Sequence, residues 1–240
     1  MKLALAVTML DEVNSVLLTL SRVGKKFATI HVVQSGEEPN PQIEKALQDH
    51  KDGHYTCLPD LDTRTEDEKQ GKGERFDIGA RAQSRNFSAA FSGIARTMAG
   101  GKKIDYAVGI HGDTALLHMY GIEFIIGKIK KAKCDIGVSR AMGQSLHAAS
   151  LTREEMADPD HPKGGRLQDH TNKDFMPQFF VAKSSIVERL ACITVTNPWC
   201  MEQCVGDAIG DADEFVFSHT AYGFADGVIY HMPSPRGWKH

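Results

Sequence analysis

Short apolar runs alternate with amphipathic, helix-length segments through the first half of the chain. The apolar runs at 3–8, 27–33 and 54–58 predict strands, and the segments at 12–23 and 41–47 predict helices. Gly24 is suited to end the first helix, and Pro41 is suited to begin the second. Alternation of strands and helices is typical of a doubly wound parallel sheet.

One apolar run is distinctive because an acid follows it. Six of the seven residues at 104–110 suit a strand buried on both faces, as in the centre of a parallel sheet. His111, Gly112 and Asp113 come next, at the carboxyl end of the strand, where open α/β sheets bind ligands. Gly112 permits a tight turn and lets a large anion approach the backbone. Asp113 is therefore a candidate metal or nucleotide ligand, although a polar strand end or an N-cap explains it equally well.

The remaining pattern predicts more elements of the same kinds. Residues 60–74 are charged and turn-rich, which favours a surface loop, and residues 142–176 lose periodicity, which favours a lid or binding loop. The sequence thus predicts a single α/β domain over residues 1–240, with a mostly parallel, Rossmann-like central sheet flanked by helices. The further predicted elements are helices at 78–98, 114–131, 185–191 and 198–208, and strands at 134–138, 179–182, 215–217 and 228–232.

The composition limits the cellular compartment and the binding partners that we expect. A net formal charge of −3 argues against a nucleic-acid partner and gives no sign of a membrane surface. No apolar run approaches the roughly 20 residues of a membrane span. The five cysteines form no CxxC pair, which favours a reduced, cytoplasmic setting.

The sequence lacks the motifs of several enzyme classes. A dinucleotide-binding dehydrogenase needs GxGxxG after the first strand, and an α/β-hydrolase needs GxSxG; neither is present. A nucleotidyltransferase of related fold needs a glycine-rich, basic loop after the first strand. Residues 9–13 contain no glycine, and the next arginine or lysine is Arg22.

The order of elements and three short motifs resemble the GT-A family of nucleotide-sugar glycosyltransferases. The resemblance in topology covers most of the chain. It implies a metal-dependent transfer of a sugar from a nucleoside-diphosphate sugar to a carbohydrate or another hydroxyl acceptor. It also implies a nucleotide-sugar-binding half at 1–113 and an acceptor-binding half at 114–240 that contains the 142–176 loop. The motifs are Ser84-Arg85-Asn86, His111-Gly112-Asp113 and Trp199-Cys200-Met201-Glu202-Gln203.

In that family an Arg-Asn pair and a D-x-D motif hold the donor diphosphate and a divalent metal. Two positions depart from the pattern: His111 replaces the first acid, and Gln34-Ser35 replaces an Asp-Asp pair that often closes the second strand. The donor-binding residues that the resemblance implies are Thr8, Asp11, Gln34, Arg85, Asn86, His111 and Asp113.

The resemblance implies that Asp113 binds Mn²⁺ or Mg²⁺, which acts as a Lewis acid on the departing diphosphate. His111 lies two residues away, on the same side of an extended strand, and an added imidazole favours Mn²⁺. His231 resembles the C-terminal histidine that completes the metal site in many members. The alternative is that His231 is an ordinary half-buried strand residue.

Glu202 is the candidate catalytic base of an inverting transfer, which is slightly favoured, because that reaction needs a carboxylate to take the acceptor's proton. Alternatively, Glu202 is an acid in the first turn of a helix, where its negative charge interacts favourably with the helix dipole, or it binds the acceptor in a retaining enzyme. Two other functions stay open: a catalytically weakened nucleotide-sugar-binding module and a nucleotidyltransferase of related fold.

Overall fold

The computed structural model describes residues 1–10, 12–59, 78–142, 176–194, 201–220 and 229–231. The strands are β1 (Leu3–Met9), β2 (Thr29–Ser35), β3 (Gly53–Leu58), β4 (Tyr106–His111), β5 (Thr114–Leu116), β6 (Ile136–Met142), β7 (Met176–Lys183), β8 (Glu214–Thr220) and β9 (Ile229–His231). The helices are α1 (Val13–Val23), α2 (Pro41–Gln48), α3 (Ile78–Ala99), α4 (Tyr120–Ala132), α5 (Val187–Ala191) and α6 (Met201–Ile209). Short 3₁₀ turns, Gly24–Lys26 and Ser184–Ile186, follow α1 and precede α5.

The main sheet has seven strands in the order β3-β2-β1-β4-β7-β6-β8. Only β7 runs antiparallel to its neighbours, and the other six strands share one direction. Strand β4 is the middle strand, and all six of its residues are buried. The predicted α/β domain, with a mostly parallel sheet flanked by helices and an apolar central strand, is confirmed.

Each face of the sheet has its own hydrophobic core, because side chains alternate along each strand. Leu5 and Val7 of β1 pack with α1, α2 and α4 on one face. Ala4 and Ala6 pack with α3, α5 and α6 on the other. Because Ala4 and Ala6 are small, α3 can lie close to the strands that end at the candidate site.

Local chemistry explains why α2 begins where it does. The Asn40 side-chain oxygen accepts the backbone N–H groups of Gln42 and Ile43 at 3.0 and 3.3 Å, and Pro41 occupies the first helical position. The predicted helix start at Pro41 is therefore correct.

The approach of β7 to β4 depends on a glycine. Gly109 pairs with Phe180 in the antiparallel register. A Cβ atom on Gly109 would lie 2.2 Å from the nearest atom of the Phe180 ring, so a larger residue would push the ring out. That ring stacks on Phe91 with centroids 5.6 Å apart and belongs to the core beneath α3.

The predicted helix at 114–131 is wrong at its start. Thr114–Leu116 forms β5, which pairs antiparallel with β9, and α4 begins only at Tyr120. The backbone N–H of Leu116 donates to Thr19 Oγ1 of α1 at 2.9 Å. Asp113 is consequently not the N-cap of α4; Met119 holds that position.

Some predictions lie outside the described residues. They include the surface loop at 60–74, nearly all of the loop at 142–176, and the first residues of the helix predicted at 198–208. Cys200 also lies outside, and the other four cysteines are free thiols. Among the helices in the described ranges, none is long and apolar enough to cross a membrane.

Candidate functional site

Three parallel strands end together beside α3. We call this region the carboxyl edge, meaning the ends of β1, β2 and β4 at Met9, Ser35 and His111. Thr8 pairs with Val33 in β2 and with His111 in β4. Alternation therefore turns Thr8, Ser35 and His111 toward the face that α3 covers.

The N-terminal half of α3 places three polar side chains over the carboxyl edge. Arg85 Nη2 and Asn86 Nδ2 both donate to Ser35 Oγ, at 3.1 and 2.8 Å. Arg85 Nη1 also donates to the carbonyl of Pro59 at 2.9 Å. Gln83 Nε2 lies 2.7 Å from His111 Nε2. The structure thus brings Arg85, Asn86 and His111 to the same edge of the sheet.

Several buried polar atoms at this edge have no hydrogen-bond partner within the described part of the chain. They are Thr8 Oγ1, Ser84 Oγ, Arg85 Nε and Asn86 Oδ1. Thr8 and Ser84 are fully buried, and Asn86 is 1% exposed. A buried polar atom left unsatisfied costs about 1–3 kcal/mol, so such atoms rarely cluster without a reason. Atoms of a bound polar ligand would satisfy them.

His111 and Asp113 are held in one hydrogen-bonded chain. His111 Nδ1 lies 2.9 Å from Asp113 Oδ1, and Thr114 Oγ1 donates to the same oxygen at 3.2 Å. Because the Gln83 amide N–H donates to Nε2, the imidazole proton resides on Nδ1 and is donated to Asp113. Both nitrogens of His111 are engaged. Among the described residues, no group of three or more His, Cys, Asp or Glu side chains is arranged to hold a metal.

Gly112 is required by the protein's own packing. A Cβ atom there would lie 2.8 Å from Glu12 Oε2 and 2.8 Å from Met9 Cβ. Glu12 Oε2 accepts the N–H of Leu10 at 2.7 Å, and the Ser15 hydroxyl donates to the Gly112 carbonyl. The glycine therefore lets the β4–β5 turn lie against the start of α1.

Gln34 is a predicted donor contact that lies on the other face of the sheet from Arg85 and Asn86. Its Oε1 accepts the Tyr55 hydroxyl and, at 3.3 Å, the backbone N–H of Asn40. Burial raises the pKa of Tyr55, so this phenol stays a donor at neutral pH. Gln34 is separated from the buried polar atoms by the sheet itself.

Of the remaining predicted site residues, His231 and Glu202 are described only by their backbone position, and Asp11 is not among the described residues. His231 lies in β9 and pairs with Thr114, the residue after Asp113, although 117 positions separate them in sequence. Glu202 lies in the first turn of α6, a helix that packs in the same core as α3.

Three contacts at this site were missed from the sequence. Ser35 could have been found, because side chains two positions apart lie on the same face of a strand. Ser35 lies two positions after Val33, the residue of β2 that pairs with Thr8. Glu12 comes three positions after the end of β1, and Asp113 comes two positions after the end of β4, so the same rule about acids at strand ends applies to Glu12. Gln83 gave no signal of its own, because its contact depends on how α3 docks.

Comparison with known proteins gives only distant structural similarity. No protein-family model and no curated protein sequence matches the chain. A mannosyltransferase from Pyrobaculum calidifontis, solved with GDP-Man and Mn²⁺, is 11% identical with a TM-score of 0.46; the match covers 95% of this chain. This chain spans 58% of the length of that mannosyltransferase.

Two other similar structures have different activities. CMP:2-keto-3-deoxy-manno-octonic acid synthetase, solved with CTP, is 10% identical with a TM-score of 0.41, and the match covers 93% of each chain. The 4-diphosphocytidyl-2C-methyl-D-erythritol synthase of Anaerococcus prevotii is 13% identical with a TM-score of 0.47, covering 90% of this chain and 87% of that one. Similarity this weak assigns no activity.

Proposed function

We propose that this protein is a glycosyltransferase that takes a sugar from a nucleoside-diphosphate sugar and binds the donor at the carboxyl edge. The observation that carries this proposal is the group of buried polar atoms without partners, Thr8 Oγ1, Ser84 Oγ and Asn86 Oδ1. They lie at the end of the sheet where α/β folds bind nucleotides. Donors and acceptors are both present, as recognition of a polar, hydroxyl-rich ligand requires.

Arg85 is proposed to bind the donor diphosphate. Its guanidinium lies beside Ser35 at the end of β2 and is half-buried, which strengthens its attraction for phosphate oxygens. Asn86 holds Ser35 from the next position of the helix and keeps one amide oxygen for the ligand. Together they would orient the donor, which is the main catalytic requirement before the sugar is transferred.

Asp113, His111 and His231 are the proposed ligands of a divalent metal. Carboxylate oxygen and imidazole nitrogen suit Mn²⁺, and the β5–β9 pairing, with His231 opposite Thr114, supports the inclusion of His231. When bound, the metal would stabilise negative charge on the departing diphosphate. His111 would have to give up its contact with Gln83 or Asp113 to become a ligand. Asp113 is therefore the principal ligand in this proposal.

Glu202 is the proposed general base. It would accept the proton of the acceptor hydroxyl as that oxygen attacks the sugar carbon, with inversion of configuration. Its location in the first turn of α6 supports this only by position, since the helix packs in the core shared with α3. In a retaining enzyme Glu202 would bind the acceptor instead.

The competing functions predict different observations. The three-residue connection between β1 and α1 disfavours a nucleotidyltransferase, because it leaves no room for a long phosphate-binding loop. Arg22, the first arginine or lysine after β1, lies in the last turn of α1. A nucleotide-sugar-binding module would bind the same donor at the same site but would not catalyse its transfer or hydrolysis.

The division into two halves, the 142–176 lid and the cytoplasmic location stay predictions.

A thermal-shift screen of nucleoside diphosphates, with and without Mn²⁺, tests the binding site. The parent should be stabilised by one or more nucleotides, and the Mn²⁺-dependent part should vanish in Asp113→Ala. A folded Asp113→Ala variant that keeps the full Mn²⁺-dependent shift would remove Asp113 from the metal site.

Slow hydrolysis of the matching sugar nucleotide tests turnover. Glu202→Gln should lower kcat by about 10²–10⁴ while donor affinity is unchanged. If the parent binds nucleotide but never hydrolyses or transfers the donor, the binding-module function is supported instead. If Glu202→Gln turns over like the parent, the base is another residue or the enzyme is retaining.

A further inference from the structure

Helix α4 carries aromatic and basic side chains on the side that faces away from the core. Its isoleucines pack into the core, whereas Tyr120 is 64% exposed and Phe124 is 41% exposed. These two and Met1 are the exposed large apolar residues in the described ranges. Lys128 follows one turn later, with its Nζ 5.1 Å from the centroid of the Phe124 ring. We call Tyr120, Phe124, Lys128 and Lys131 the outer face of α4.

The charge of this helix opposes the charge of the whole chain. Residues 120–133 contain four lysines and one glutamate, a formal charge of +3, on a chain with a net charge of −3. The lysines are Lys128, Lys130, Lys131 and Lys133, and all are exposed. The helix dipole accounts for lysines in the last turn. It does not account for the exposure of the Tyr120 and Phe124 rings in the first two turns.

An amphipathic helix with aromatic and lysine residues on one face matches the chemistry of binding at a lipid–water interface. The basic residues here are all lysines, whose compact charge suits a diffuse anionic surface, whereas specific phosphate recognition favours the bidentate fork of arginine. The face is also a convex helix surface, which offers no groove to hold a nucleic-acid strand. These features favour a membrane over a nucleic acid as the occupant.

We propose that the outer face of α4 binds peripherally to a membrane surface rich in anionic lipids. Tyr120 and Phe124 would enter the headgroup region, and Lys128 and Lys131 would contact lipid phosphates and carboxylates. The aromatic end of α4 follows β5, which itself follows Asp113, so binding would hold the carboxyl edge close to the membrane. This inference does not depend on the proposed function.

Sedimentation with lipid vesicles tests the proposal on the full-length chain. The parent should bind vesicles of phosphatidylcholine mixed with phosphatidylserine at least ~10-fold more tightly than vesicles of phosphatidylcholine alone, and added salt should weaken the binding. Lys128→Gln/Lys131→Gln should lower the affinity by ~10-fold or more. Tyr120→Ser/Phe124→Ser should also lower it, without loss of the folded state, because both side chains are exposed.

Lys45→Gln/Lys51→Gln is the matched control. It removes the same charge from two exposed lysines near α2, which packs against β3, whereas α4 packs against β6 and β8 at the other end of the sheet. Its affinity for anionic vesicles should stay within about twofold of the parent, since the lost charge lies away from the face that binds. The proposal is overturned if the parent ignores anionic vesicles or if the control loses as much affinity. Binding to a single-stranded DNA oligonucleotide but not to vesicles would also overturn it.

Discussion

Thr8 is a buried threonine whose hydroxyl has no partner among the described residues. Thr8→Val replaces that hydroxyl with a methyl group of similar shape. We expect the free energy of unfolding without ligand to rise by about 1 kcal/mol, because an unsatisfied polar atom is removed. Nucleotide binding should weaken at the same time, because the hydroxyl is proposed to contact the donor. Chemical denaturation and calorimetric titration measure the two effects.

Thr19 provides the control for that substitution. It is equally buried, but its Oγ1 accepts the N–H of Leu116 at 2.9 Å. Thr19→Val should lower the free energy of unfolding by about 1–3 kcal/mol, because the N–H of Leu116 loses its partner. If Thr8→Val is destabilised as much as Thr19→Val, the Thr8 hydroxyl has a protein partner and no ligand is needed to satisfy it.

His31 makes stability depend on pH. Burial, followed by the positive charge of nearby His54, lowers the pKa of His31 from 6.5 to about 4. The ring stacks on His54 with centroids 4.4 Å apart and lies near Thr29, Thr97, Arg96, Lys102 and Asp52. Its contribution to stability is complete above pH 6.5 and is lost as the pH falls toward about 4. We expect a loss of about 3 kcal/mol over that interval.

Denaturant titrations at several pH values measure this loss. His31→Phe should flatten the dependence between pH 6.5 and about 4, because phenylalanine cannot be protonated, whereas the exposed-site control His118→Gln should keep it. Asp52, the neighbouring acid, does not interfere. Burial raises its pKa, but hydrogen bonds from Lys102, Thr29 and His54 outweigh burial and lower it to about 2, below the interval. A steep dependence that persists in His31→Phe would contradict this assignment.

Between elements, the contact of β4 with β7 is set by Gly109 and Phe180. Gly109→Ala should lower the free energy of unfolding by about 1–3 kcal/mol, because the new methyl group overlaps the Phe180 ring. Phe180→Leu in the same chain should recover part of that loss, so the two effects would not add. Gly127→Ala on α4, where a Cβ meets nothing within 4 Å, should instead stabilise the protein by up to about 1 kcal/mol. Equal losses at the two glycines would contradict the packing described for β7.

At the level of elements, local periodicity was enough to predict most helices and strands. It failed at Thr114–Leu116, which is a strand only because it pairs with Ile229–His231. No local pattern reveals a partner so distant in sequence. Asp113 was singled out because it follows the end of β4, whereas Arg85 and Asn86 lie on α3 and were implied only by the family resemblance. Ser35 and Glu12 were missed, although face alternation and the strand-end rule respectively point to them.

At the level of the whole molecule, net charge does not show how the charges are distributed over the surface. A value of −3 gave no sign of an anionic surface as a partner, yet residues 120–133, which are α4 and its C-cap residue Lys133, carry +3. Averaging over the chain hides such a cluster. Exposure of Tyr120 and Phe124 is likewise visible only once the helix is docked and its isoleucines are buried.

The central claim is that the carboxyl edge under α3 binds a nucleoside diphosphate, and calorimetric titration of matched arginine variants tests it most directly. Arg85 lies at the edge, whereas Arg96 lies exposed in the last turn of the same helix. With the nucleotide that stabilises the parent most, Arg85→Ala should weaken binding by about 1.5–3 kcal/mol, the scale of a charge-assisted hydrogen bond. Arg96→Ala should bind like the parent. Equal affinities for the parent and a folded Arg85→Ala variant would contradict the claim.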